Sequence, residues 1–286
     1  MTLPIVLSND NELYLDLDAA NSFGRSLREP YVAANPFPHI SLDSFLPLAL
    51  AERLILLFPN ESMAGDSHHN TGYGGLRKRG INPESCSWQL KSIFYFFNSA
   101  PFLSFLEGLT GINHLIGDPY FAGGGLHEIY AGGKLGVHAD FRINEKLNLK
   151  RRINVLIYLN HDWDSEYGGA LELWSKNGKK REVSVSPIFN RAVIFNTEAD
   201  SYHGHPDPLN VPEGRSRRSI ALYYYTASEK IHEDTPNHTT HYIARPSDDV
   251  AIKREVMGLR IQNYLRDWLP PILYRNLRYL RGRSRP

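Results

Sequence analysis

The stretch Arg217-Arg218-Ser219-Ile220-Ala221-Leu222-Tyr223-Tyr224-Tyr225-Thr226 has the composition of a buried β-strand. Aromatic and β-branched side chains are frequent in it, and these residue types favour a pleated, half-buried backbone. Five shorter runs of similar character precede it, each bounded by turn-forming residues. Several short strands at this spacing are typical of a β-sandwich or barrel. The five runs are 126–130, 152–160, 170–174, 181–185 and 191–196.

Helical patterns flank this β region on both sides. Apolar stripes or capping residues predict helices at 45–58, 88–97, 99–109 and 246–268. Residues 61–82, rich in Gly, His and Ser, are predicted to form a long loop. The fold class is therefore mainly β with flanking helices. Its predicted parts are an N-terminal extension (1–35), a helical flank (36–117), a β core (118–228) and a C-terminal helical segment with a basic tail (229–286).

Composition sets the class of protein and excludes some partners. The 286 residues are 42% hydrophobic and 22% charged, as in ordinary globular chains. A net charge of +1 gives no overall field for nucleic acid, so no nucleic-acid partner is expected. One cysteine, Cys86, and the lack of a recognisable signal peptide predict a cytoplasmic protein. The basic, aromatic tail at 271–286 is compatible with contact to a membrane surface, but a solvated helix end is the preferred interpretation.

The first candidate site is His138-Ala139-Asp140. In a strand, residues i and i+2 point to the same face, so this imidazole and carboxylate would lie side by side. With a second histidine from a distant strand, they would form a two-histidine, one-carboxylate set that leaves open positions on a ferrous ion. Another such pair, His205-Pro206-Asp207, is predicted to lie in a Pro-rich loop and is interpreted as accidental.

The second candidate site lies on the strand at 217–226. Arg217 and Ser219 share one face of it. A guanidinium presents a fork of donors that matches a carboxylate, and the hydroxyl adds a further hydrogen bond. The pair therefore suits the far end of a dicarboxylate, although a surface arginine beside a strand has the same local sequence.

The order of motifs between residues 121 and 226 resembles the catalytic core of Fe(II)- and 2-oxoglutarate-dependent oxygenases of the prolyl 4-hydroxylase-like class. Glycine-rich turns, the His-x-Asp pair, hydrophobic strands and the closing Arg-x-Ser strand follow one another as they do in that class. The matching segments are 123–130, 132–133, 138–140, 158–163, 168–173, 190–195 and 217–219. The resemblance implies a double-stranded β-helix, a jelly-roll or cupin-like core.

The resemblance also implies roles for individual residues. His138 and Asp140 match the first two metal ligands, and His203 matches the third, with His205 as the alternative. Arg217 matches the arginine that binds the far carboxylate of 2-oxoglutarate, and Arg215 and Arg218 are its alternatives. Ser219, Tyr158 and Tyr130 are the further residues expected at the cosubstrate site.

The activity implied is hydroxylation of an unactivated C–H bond, in a prolyl residue or a small molecule, with release of succinate and CO2. The expected cofactors are Fe(II), 2-oxoglutarate and O2, and ascorbate is considered as a reductant. Asp140 favours hydroxylation, because related halogenases carry a small residue at that position. The competing hypothesis is a non-enzymatic, cupin-like module that binds a metal or another ligand, which would have no use for an Arg217 carboxylate clamp.

Overall fold

The computed structural model describes residues 2–8, 12–63, 65–227 and 240–268. Within these residues, six α-helices and fifteen β-strands are numbered in chain order. The helices are α1 (Leu17–Ser26), α2 (Arg28–Ala33), α3 (Leu48–Leu56), α4 (Trp88–Phe97), α5 (Ala100–Thr110) and α6 (Val250–Trp268). The strands are β1 (Val6–Leu7), β2 (Leu13–Tyr14), β3 (His39–Leu42), β4 (Ser67–His69), β5 (Leu76–Ile81), β6 (Ile116–Gly117), β7 (Gly125–Ala139), β8 (Ile143–Asn144), β9 (Leu149–Tyr158), β10 (Leu171–Trp174), β11 (Arg181–Val185), β12 (Arg191–Asn196), β13 (His203–His205), β14 (Arg217–Thr226) and β15 (His241–Tyr242).

The long strand β7 joins two antiparallel layers into one folded sheet. The strands follow the order β11-β10-β13-β7-β14-β9-β12-β3. The first part of β7 pairs with β5 and β14, whereas its last part pairs with β13 and β15. The sheet therefore closes over itself as a jelly roll, and the predicted double-stranded β-helix with flanking helices is confirmed.

Strand alternation gives the larger layer two different faces. On β9, Ile153, Val155 and Ile157 pack in the core beneath the helices, whereas Leu156 and Tyr158 face the barrel interior. The same alternation on β14 sends Ile220, Leu222 and Tyr224 to the helical side. Its other face, which carries Arg217, Ser219 and Tyr223, lines a cavity inside the barrel.

Aromatic side chains fix the helices to the outer face of this layer. The ring centroids of Phe97 and Phe102 lie 5.1 Å apart, and the Tyr224 hydroxyl donates to the Phe97 carbonyl over 2.9 Å. Helix α1 crosses α5 closely at Gly24, which has no side chain. A Cβ at this position would lie only 2.2 Å from the Phe105 carbonyl oxygen. The first 35 residues thus share the core of the helical flank, and the division into four parts remains a proposal.

The prediction of a long loop at 61–82 is wrong. This segment contains β4 and β5, which form a hairpin whose second strand pairs with β7. The strand β5 was not predicted because its sequence contains Arg77-Lys78-Arg79. Charged residues there occupy positions where strand alternation would place apolar ones. Arg79 is nonetheless buried, with Nε 2.7 Å from Asp66 and Nη1 3.0 Å from Glu128.

The last helix begins later than predicted. α6 starts at Val250 rather than at residue 246, and the Asp249 carboxylate caps it by accepting the backbone N–H of Ile252 over 2.8 Å. The basic tail at 271–286 lies outside the described residues. Within the described ranges, no helix combines the length and apolarity needed to cross a bilayer.

Candidate active site

A cavity of about 210 Å³ opens inside the barrel, between the two layers. The predicted metal ligands reach it from two neighbouring strands. His138 lies near the end of β7, Asp140 follows it directly, and His203 begins β13. His203 and His138 are register partners in this antiparallel pair, so strand pairing brings residues 65 positions apart into contact.

Backbone carbonyls set the orientation of both imidazoles. The Nδ1 atom of His138 lies 2.8 Å from the Gly136 oxygen, and that of His203 lies 3.0 Å from the Ser201 oxygen. Since a carbonyl only accepts, each Nδ1 carries the proton and each Nε2 keeps its lone pair for a metal. Burial and the neighbouring His138 lower the pKa of His203 to about 4, which keeps it neutral.

Asp140 is held by two polar side chains of β9. The Asn154 amide donates to its Oδ2 over 2.8 Å, and the Nη2 atom of Arg151 lies 3.0 Å from the same oxygen. Burial by itself raises the pKa of Asp140, but the charge of Arg151, the largest opposing cause, helps to hold that pKa well below its usual range. The carboxylate is therefore ionised and fixed in direction.

The geometry of this cluster suits one ferrous ion. The Nε2 atoms of His138 and His203 lie 3.6 and 3.5 Å from the Asp140 carboxylate oxygens, and the three ligand atoms lie within 4.8 Å of one another. Two atoms that are each about 2.1 Å from a common ion are at most about 4.2 Å apart, so only small shifts are needed. Two imidazoles and one carboxylate are the donor set of non-haem ferrous oxygenases.

Arg217 lies buried in the same cavity. Its Nε donates to the Gly169 carbonyl over 2.8 Å and its Nη2 to the Tyr158 hydroxyl over 3.3 Å. These contacts fix the plane of the guanidinium and leave its Nη1 without a hydrogen-bonding partner among the described residues. Ser219 lines the cavity two residues further along β14.

The other arginines and tyrosines considered from the sequence have different surroundings. Arg218 binds Glu128 on the outer face, 2.9 Å from its carboxylate, and Arg215 donates to the carbonyls of His161 and Asp162. Tyr130 is not brought into the cavity. It is 40% exposed, and its hydroxyl donates to Glu128 over 2.9 Å. Side chains alternate along β7, so the side chain of the neighbouring Ile129 faces the cavity and that of Tyr130 faces away from it.

His205 differs from its predicted surroundings. It belongs to β13 rather than to a loop, and it lines the cavity on the same strand as His203. It is not part of the three-residue cluster. Both of its ring nitrogens lack a hydrogen-bonding partner among the described residues. Burial, followed by the charge of Arg217, lowers its pKa well below the usual range, so the ring is neutral. Asp207, its partner in the His-x-Asp pattern, instead pairs with Arg245 over 2.8 Å.

Comparison with known proteins agrees with this geometry. The sequence profile of the 2OG-Fe(II) oxygenase superfamily matches residues 124–225, the segment that carries the cluster and Arg217. Residues 124–225 belong to the 2OG-Fe(II) oxygenase superfamily. The resemblance inferred from the sequence is thereby confirmed, and this family implies Fe(II), 2-oxoglutarate and O2.

Solved structures of prolyl hydroxylases share the fold of this chain. One from Trichoplax adhaerens, in complex with a hypoxia inducible factor oxygen degradation domain peptide fragment, aligns with a TM-score of 0.50 and 20% identity over 73% of this chain and 91% of that chain. A prolyl-4-hydroxylase from Pseudomonas putida aligns with a TM-score of 0.51 and 17% identity over 72% and 100% of the two chains. At these identities the likeness shows the fold alone.

Sequence reasoning missed two residues that support the His138–Asp140–His203 cluster, Arg151 and Asn154. They are three positions apart, so regular alternation would place them on opposite faces. A bulge, where Tyr225 pairs with Arg151 and Tyr224 with Ile153, returns both to the cavity side. The Arg151 guanidinium then donates to the side-chain amide oxygen (Oδ1) of Asn154 over 2.7 and 3.0 Å and lies 3.6 Å from the Tyr223 ring centroid. No pattern in the sequence marks the bulge.

Proposed function

We propose that this chain is an Fe(II)- and 2-oxoglutarate-dependent dioxygenase. It would hydroxylate an unactivated C–H bond of a prolyl residue or a small molecule and release succinate and CO2. The observation that carries the proposal is the convergence, in one cavity, of the His138–Asp140–His203 cluster and the buried Arg217. A metal cluster alone would suit many proteins, whereas a carboxylate-binding arginine beside it suits a chelating dicarboxylate.

The residues of the cluster would hold the ion on one side only. His138, Asp140 and His203 supply three ligand atoms, which leaves other coordination positions for exchangeable ligands. When bound, iron and 2-oxoglutarate supply the oxidising chemistry, in which 2-oxoglutarate and dioxygen are consumed. Arg151 and Asn154 keep the Asp140 oxygens in place, and such outer contacts support both metal affinity and ligand orientation.

Arg217 would bind the carboxylate of 2-oxoglutarate that is remote from the metal. Its position between the Gly169 carbonyl and the Tyr158 hydroxyl pre-orients the fork of donors. Ser219 adds a hydroxyl on the same face, and Tyr158 acts through Arg217. The neutral His205 ring, which has no described partner, would donate one N–H to the same carboxylate. These contacts position the cosubstrate without taking part in bond making.

The competing hypothesis of a ligand-binding module without catalysis has less support. A plain metal module has no use for Arg217, because burying a guanidinium is unfavourable unless an anion or several acceptors compensate it. The Tyr158 hydroxyl and the Gly169 carbonyl compensate it only in part. The reducing cytoplasm remains the proposed setting, supported by the single cysteine.

Succinate release tests the proposal. Purified protein is incubated aerobically with 2-oxoglutarate, with and without Fe(II) and with and without ascorbate, and succinate is measured by mass spectrometry. We expect slow, Fe(II)-dependent succinate release even before a primary substrate is known, and its loss in His138→Ala. Equal release from wild type and His138→Ala would contradict the proposed function. Ascorbate is expected to prolong the reaction rather than to start it.

A further inference from the structure

Besides Arg151 and Arg217, a further cation, Lys78, faces the cavity from the β4–β5 hairpin. Lys78 on β5 is the register partner of Ile129 on β7, and Ile129 is the register partner of Arg217 on β14. All three side chains line the cavity. Neighbouring strands lie about 4.8 Å apart, so the backbones of Lys78 and Arg217 are separated by roughly 10 Å along this row.

Lys78 differs from the basic residues on either side of it. Arg77 donates to the Ala131 carbonyl over 2.7 Å, and Arg79 pairs with buried carboxylates outside the cavity. Among the described residues, the Lys78 ammonium has no ion pair and no hydrogen bond. Burial lowers its pKa to about 8, with the Asp140 charge opposing the shift, and the ammonium form still predominates at neutral pH.

The charged groups of the cavity, counted together with the proposed ligands, have a net positive charge that favours binding of a further anion. Arg151 already neutralises Asp140 at 3.0 Å. In the proposed complex, the two charges of a ferrous ion balance the two carboxylates of 2-oxoglutarate. Arg217 pairs with the remote carboxylate in that complex, and Lys78 then remains as a cavity cation without an anionic partner among the described residues. A partly buried ammonium without an anionic partner is unfavourable, and an anion bound beside it removes that cost.

We infer that Lys78 binds a carboxylate of the primary substrate, which is therefore a small carboxylic acid, such as a free amino acid, rather than an internal residue of a peptide. The inference rests on the proposed function. Both carboxylates of 2-oxoglutarate already have partners, one at the metal cluster and one at Arg217, so a third anion-binding group is available to the substrate. A single ammonium suits a carboxylate, whereas phosphate sites commonly combine several N–H donors.

The test uses matched acids and amides. The twenty free L-amino acids, their carboxamides and a proline-containing peptide are incubated with the full chain, Fe(II) and 2-oxoglutarate, and hydroxylated products are detected by mass spectrometry. We expect products from free acids and none from the matched amides or the peptide. For the best acid, Lys78→Met is expected to lower kcat/KM about 30-fold or more, the loss typical of removing one partner of a buried charge pair.

Variants and a binding measurement separate the explanations. Lys78→Arg should retain part of the kcat/KM for the acid, and Arg77→Met, on the same strand, should retain all of it. Calorimetric titration of the acid into Mn(II)- and 2-oxoglutarate-loaded protein under argon should show weaker binding only for Lys78→Met. The KM for 2-oxoglutarate should change less than twofold in that variant.

Three results would overturn the inference while leaving the proposed function intact. They are equal turnover of acids and amides, wild-type kcat/KM for the acid in Lys78→Met, and a KM for 2-oxoglutarate raised by Lys78→Met as much as by Arg217→Met. The last result would assign Lys78 to the cosubstrate. If wild type without any primary substrate released no succinate in response to Fe(II), that result would instead contradict the proposed function itself.

Discussion

His138 and His203 face each other across the β7–β13 pair with ring centroids 4.5 Å apart, and each imidazole bonds the carbonyl of the residue two positions before it. The two rings therefore share one tautomer, fixed by main-chain groups of regular structure. A metal site built on paired strands is pre-organised before any ion binds.

The first prediction concerns the choice of the third ligand. Replacing His203 by Ala should abolish tight Fe(II) binding and lower succinate release at least about 100-fold, because losses of this size accompany changes at a metal site. His205→Ala should keep the metal and raise the KM for 2-oxoglutarate. Metal content after anaerobic gel filtration checks both. Retention of iron by His203→Ala together with its loss from His205→Ala would reverse the assignment.

The second prediction concerns the carboxylate clamp. Arg217→Met should raise the KM for 2-oxoglutarate about 30-fold or more, because one partner of a buried charge pair is removed. Arg218→Met, one residue away on the outer face, is the matched control and should leave that KM unchanged. Steady-state succinate assays measure both values. A larger effect from Arg218→Met would show that the other face of β14 binds the cosubstrate.

A third prediction concerns the stability of the hairpin. Arg79 is 1% exposed and binds both Asp66 and Glu128, so Arg79→Met leaves buried carboxylates without their partner. The free energy of unfolding should fall by about 3–5 kcal/mol. Lys180→Met removes only the exposed pair with Glu182 and should cost less than about 1 kcal/mol. Urea denaturation distinguishes them, and similar losses from both variants would contradict the buried network.

The pH dependence of stability provides a fourth prediction. The pKa of Lys78 falls from 10.5 to about 8 on folding, because burial disfavours the ammonium. Between these two values the unfolded chain binds more protons than the folded one, so the stability of wild type rises with pH through this window. Lys78→Met lacks this contribution. Its stability advantage over wild type should be greatest below pH 8 and should shrink towards pH 10.5 in metal-free urea titrations. Parallel pH profiles for the two proteins would contradict the prediction.

Much of the β core was predictable because its sequence patterns are local. The strands at 181–185, 191–196 and 217–226 have the predicted bounds. The pair His138 and Asp140 was also readable, since its two-residue spacing follows from strand geometry. Their convergence with His203 depends on which strands pair, and only the resemblance to a known class pointed to it.

The sequence did not predict the positions of Arg151, Lys78 and Tyr130 correctly, for a different reason in each case. The bulge beside Arg151 interrupts the alternation of side chains along β9, and no residue type in this segment predicts a bulge. Lys78 lies in β5, where three consecutive basic residues interrupt the apolar alternation, so local composition indicated a loop. Tyr130 was assigned to the cosubstrate site by resemblance, but the phase of β7 gives the cavity position to Ile129.

Anaerobic equilibrium binding of 2-oxoglutarate, with and without Fe(II), tests the central claim most directly. Wild type should bind one Fe(II) per chain and bind 2-oxoglutarate tightly only with the metal. Asp140→Ala should lose both ligands, and Arg217→Met should lose 2-oxoglutarate while keeping the iron. Metal-independent binding of 2-oxoglutarate, or undiminished iron binding by Asp140→Ala, would contradict the account.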